Sequence, residues 1–92
     1  MNVPFLSVLQ VFQVEGLVSL GKMLHPATNE TAKNEDYARY VIGVLETLKQ
    51  KTEGNLEVEE QRFLEQTLSL LKLNFVEVFG NPDAPSTRDS LA

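Results

Sequence analysis

PFLSVLQVFQVEGLVSLGKML, residues Pro4 to Leu24, is the longest predominantly apolar run in the chain, and its reading decides the fold. Phe5, Leu9, Phe12, Gly16, Leu20 and Met23 recur at steps of four and three, which puts them on one face of a helix. Ser7, Val11, Val14, Val18 and Gly21 recur in the same way on roughly the opposite face. A helix that only closes its own domain needs a single stripe, so the second one predicts a further partner. Pro4 suits the first helical turn, where a missing N–H costs nothing, and Pro26 stands just past the expected end. The spacing predicts a helix over about 4–24.

The whole chain has 92 residues, enough for one small domain whose stability margin is thin and which association would help. Its formal net charge of −5 argues against a nucleic-acid binder, which needs clustered Lys and Arg to displace counterions from phosphates. The absence of cysteine excludes disulfides, iron–sulfur clusters, thiolate metal sites and a Cys nucleophile. The first residues lack the charged region and cleavage site of a secretory signal, so none is expected. The first helix has the length to span a bilayer, but Gln10, Gln13, Glu15 and Lys22 interrupt it, and Glu15 would sit near the centre. Burial in protein is expected, rather than a span or a place on a membrane surface.

Outward from that helix, HPATNETAKN (His25 to Asn34) has no apolar period and reads as a loop. Asn34 is a good N-cap, with Glu35 and Asp36 facing the positive end of the next helix. Tyr37, Ala38, Val41, Ile42, Val44, Leu45 and Leu48 then share one arc, predicting a one-sided helix over about 34–53. Gly43 falls on its polar side, where glycine costs about 1 kcal/mol relative to alanine and suggests a close neighbour. Gly54 is the expected left-handed C-cap, and Gly54, Asn55 and Leu56 form a structural turn. A third helix is expected over about 57–79, with Leu64, Leu68, Leu71, Phe75 and Val78 as its main stripe and Phe63, Leu70 and Leu73 as a weaker one. Gly80 and Pro82 stop it, and 81–92 has the composition of a disordered tail after a helical domain over 1–80. The short TEGNL link predicts an antiparallel hairpin of the last two helices, with the first packed on it.

The phrases LETLKQKTEGNLEVEE (Leu45 to Glu60), LGKMLHPATNE (Leu20 to Glu30) and LKLNFVEV resemble the bacterial DUF1844 family, a small helical domain without an assigned function. The likeness covers roughly Leu17 to Val78, and KTEGNL is its most specific element. The chain departs from the family at Glu57, where Thr or Ser is expected as the N-cap. The resemblance implies a bacterial cytoplasmic setting and supplies no catalytic residue.

Motifs that could carry chemistry are few. Glu53, Glu57, Glu59 and Glu60 crowd the hairpin turn, but solvated charge at a helix start explains them, and no metal is expected. His25, the only histidine, reads as a helix-end dipole partner or a solvated side chain. The stretch Gly16 to Gly21 lacks the spacing of a dinucleotide loop and suits close helix contact instead. Tyr37 and Tyr40 read as packing. No nucleophile elbow or triad spacing occurs, so no catalytic residue, cofactor or enzyme activity is expected. The expected fold class is all-α, a three-helix protomer in a helical-bundle homodimer or higher homo-oligomer, with Ser7, Val11, Val14, Val18 and Gly21 as the interface. Its expected role is a structural or protein-interaction module whose partner is itself or another protein. The alternative is a small-ligand carrier or minor enzyme with a pocket between helices of the oligomer.

Overall fold

The computed structural model describes residues 2–80, and within them the chain forms three helices and no named strand. These are α1 (Val3–Ser19), α2 (Glu35–Lys51) and α3 (Val58–Phe79). The expected tail lies outside the described residues.

Each helix starts where a cap allows. The Asn2 side chain accepts from the Phe5 N–H at 2.8 Å, so α1 begins at Val3 with Pro4 in the first turn. Asn34 caps α2 by accepting from the Tyr37 N–H at 3.0 Å. Glu57 caps α3 with the Glu60 carboxylate reaching back to its N–H at 2.9 Å, so a glutamate serves where Thr or Ser was expected.

α1 ends at Ser19, not at Leu24. Gly21 adopts φ +75°, its N–H donates to the Val18 carbonyl at 3.0 Å, and the Lys22 N–H donates to the Leu17 carbonyl at 2.9 Å. This pair of bonds is a Schellman motif, which satisfies the last carbonyls and turns the chain out of the helix. The apolar run continues through Met23 and Leu24, but both are exposed. A backbone stop at Gly21 therefore overrides hydrophobic periodicity. The chain then folds back, with Leu20 and Lys33 in an antiparallel bridge and the Asn34 N–H donating to the Ser19 carbonyl at 2.8 Å. Asn34 thus closes one helix with its backbone and opens the next with its side chain.

Contacts between the helices define their directions. At one end of the α1–α3 pair the Asn2 N–H donates to Glu60 at 2.7 Å; at the other, Lys22 meets Glu77 at 2.6 Å. Tyr37 at the start of α2 donates to Glu15 near the end of α1 at 3.0 Å. Hence α1 runs parallel to α3, and α2 runs antiparallel to both. Leu9, Leu20, Ala38, Val41, Leu45, Leu64, Leu68, Leu71 and Phe75 form the shared core, with Phe5, Phe12 and Val78 partly buried around it. Gly16 sits where α1 crosses Leu71, and a β-carbon there would stand 2.7 Å and 2.8 Å from the two Leu71 methyls. Close helix approach at this glycine is what the sequence suggested.

The hairpin turn differs from expectation in one detail. Thr52, not Gly54, is the C-cap of α2, its hydroxyl donating to the Leu48 carbonyl at 2.6 Å. Gly54 still takes φ +83°, with the Asn55 N–H closing on the Thr52 carbonyl at 2.9 Å and Leu56 turned toward the core. Gly54→Ala is expected to cost about 1 kcal/mol without changing the fold, because the added methyl meets no neighbour among the described residues but strains the backbone. Urea midpoints of the two proteins check this, and an equal midpoint would show that the turn relaxes to negative φ.

Candidate functional site

The outward face of α1 combines exposure with absence of charge. Val3 is 70 %, Val11 56 % and Val14 38 % exposed, and Ser7 lies exposed between them. The Ser7 hydroxyl is turned back onto the Val3 carbonyl at 3.1 Å, so the polar atom in the stripe is occupied by backbone. From Val3 to Ser19 the helix carries a single charged residue, Glu15, which accepts the Tyr37 hydroxyl on the side facing α2. That bond to a carboxylate raises the Tyr37 pKa above its ordinary value.

Of the five residues expected on this face, three occupy it. Val18 is buried within the protomer, and Gly21 is the glycine of the Schellman motif. The chain turns back at Leu20, so neither continues the exposed stripe of α1. The missed signal was local, a glycine followed at once by Lys22 and, after Met23 and Leu24, by a polar loop.

Other candidates have structural roles. Glu60, read as solvated charge, is only 4 % exposed and bridges the N-terminal caps of α1 and α3 through Asn2 and Glu57. The Asn2 N–H, and then the Glu57 N–H, hold its carboxyl below the usual range by bonding the charged form. Lys22 does the same for Glu77 at the surface. Among the described residues no three acidic or histidine side chains converge as a metal site. His25 lies in the loop beyond α1 rather than at its end, and its Nδ1 accepts the Ala27 N–H at 3.0 Å. A β-carbon added to Gly43 would meet nothing within 4 Å, so the close contact suggested for it is not found among the described residues. An open groove of about 320 Å³ between α2 and α3 is lined by Glu46, Lys49, Leu56 and Lys72. No helix among the described residues is long and apolar enough to cross a membrane.

A family model described as "Domain of unknown function (DUF1844)" matches residues 2–77. The chain belongs to the DUF1844 family. No curated protein and no solved structure matches it. The DUF1844 match begins at Asn2 rather than near Leu17, so α1 with its N-cap is part of the family domain. It also takes in the Asn2–Glu60 and Lys22–Glu77 contacts that tie α1 to α3.

Proposed function

We propose that this DUF1844 chain is a small protein-interaction module that works as a homo-oligomer in the bacterial cytoplasm, with the outward face of α1 as a contact surface. The observation that carries the reading is the uncharged stripe Val3, Ser7, Val11 and Val14, exposed on a protein of net charge −5. An apolar stripe of this length on a small domain is costly to leave in water. A second copy covers it most simply, because the same surface meets itself about a two-fold axis and no like charges are brought together there. The cytoplasmic and bacterial setting follows the family resemblance alone.

The test is the assembly mass by sedimentation equilibrium. Val14→Glu puts two carboxylates near the axis and is expected to lower the mass of the assembly. Glu46→Lys, which disturbs only the exposed pair with Lys72 at 3.1 Å, is expected to leave it unchanged. A folded Val14→Glu protein with the wild-type mass would remove the α1 face as a contact.

A further inference from the structure

The outer side of α2 carries a second surface, centred on Gly43. A glycine inside a helix is less favourable than alanine, and here nothing among the described residues comes near enough to require it. Tyr40, 60 % exposed, stands beside it, its ring stacked on Tyr37 at 5.9 Å, and the Tyr37 hydroxyl is anchored on Glu15. Tyr40 is therefore an aromatic held ready at the surface. On the other side the Thr47 hydroxyl is tied to the Gly43 carbonyl at 2.9 Å, and Val44 and Leu48 continue the apolar floor.

The charges around this floor form a pattern. Arg39 is paired with Glu35, Glu46 with Lys72 and Lys49 with Glu65. Asp36 and Lys51, exposed at the two ends of the same stripe, have no ion-pair partner among the described residues. Within the protomer they answer the dipole of α2. They are also placed symmetrically about the Gly43–Val44 peptide, as are Tyr40 and Thr47. A second α2 laid antiparallel across that point would meet Lys51 with Asp36 twice, set Tyr40 against Thr47, and use the glycine for closest approach.

Resting on the self-association reading above, we propose that α2 makes its own two-fold contact with a second copy of the chain, crossing antiparallel at Gly43. The stripe is self-complementary in charge and shape, as an isologous contact requires. Two different two-fold contacts per protomer, through α1 and α2, close into a dihedral tetramer when their axes intersect at right angles.

Gly43→Leu separates the contact from the fold. A β-carbon at position 43 meets nothing within 4 Å among the described residues, and leucine gains helix propensity over glycine, so at high dilution the variant is expected to melt above the wild type, while its association through α2 weakens at least tenfold. Asp36→Lys and Lys51→Asp are each expected to weaken association at low salt by about tenfold, the double variant to restore it, and high salt to erase the difference. Sedimentation over a concentration series reads all of these. If Gly43→Leu associates as tightly as the wild type, or the double swap fails to restore association, the α2 contact is overturned. If assembly survives Gly43→Leu but is lost in Val14→Glu, self-association stands and the α2 contact falls. A wild type that is monomeric at every concentration overturns both.

Discussion

Gly16→Val is expected to destabilise the protein by about 2 to 3 kcal/mol, roughly 10–20 °C in melting temperature for a domain of this size. Gly16 is buried on the inner face of α1, and its missing side chain is the space that Leu71 fills. Leu71 is 0 % exposed and belongs to the core cluster with Leu9, Leu64 and Leu68, so its methyls cannot swing into water to make room. Valine gains a few tenths of a kcal/mol in helix propensity over glycine, too little to offset the overlap. Leu71→Ala alone leaves a cavity and costs about 2 to 5 kcal/mol. In the double variant the new valine occupies part of that cavity, and the combined loss is expected to fall well short of the sum. Chemical denaturation of the four proteins gives the coupling. A Gly16→Val protein as stable as the wild type, or strict additivity with Leu71→Ala, would show that α1 does not pack against α3 at this point.

Glu60→Gln is expected to lower stability at neutral pH and to matter progressively less in acid. The carboxylate joins helix starts that are distant in sequence, accepting from Asn2 at 2.7 Å and from Glu57 at 2.9 Å. Two N–H donors favour the charged form, and its folded pKa lies below the ordinary 4.5. A carboxyl depressed in the folded state contributes stability that is fully present above its unfolded value and is lost as pH falls through the folded one. The difference in urea midpoint between wild type and Glu60→Gln should therefore be largest at pH 7 and shrink below the ordinary carboxylate value. A difference that stays constant across that range would mean that the glutamine loses shape complementarity rather than charge. Because Asn2 is the N-cap of α1, the first turn of that helix should also lose amide-exchange protection in the variant.

Much of the architecture is written in local pattern. The apolar arcs of α2 and α3, the Asn34 cap and the stop at Gly80 are properties of short segments, and the observed helices follow them closely. Contact between α1 and another helix at Gly16 was legible for the same reason, since a lone glycine on an apolar face has few other uses. The exposed residues Ser7, Val11 and Val14 were legible as a second stripe of α1.

What periodicity cannot convey is where the backbone changes direction and which neighbour then arrives. Gly21 lies on the same helical stripe as the valines, and only the bonds of Leu17 and Val18 to the turning chain show that α1 is already over. Once the chain folds back to bring Asn34 onto Ser19, Val18 is buried from within, and a residue of the apparent outer stripe becomes interior. Glu60 is the converse case. Glutamates next to a helix start look alike in sequence, but the parallel course of α1 and α3 carries the Asn2 N–H to one of them alone and turns it inward. Side-chain periodicity is a local property settled within a few turns, whereas the burial of Val18 and Glu60 depends on segments distant along the chain and exists only after the helices have packed.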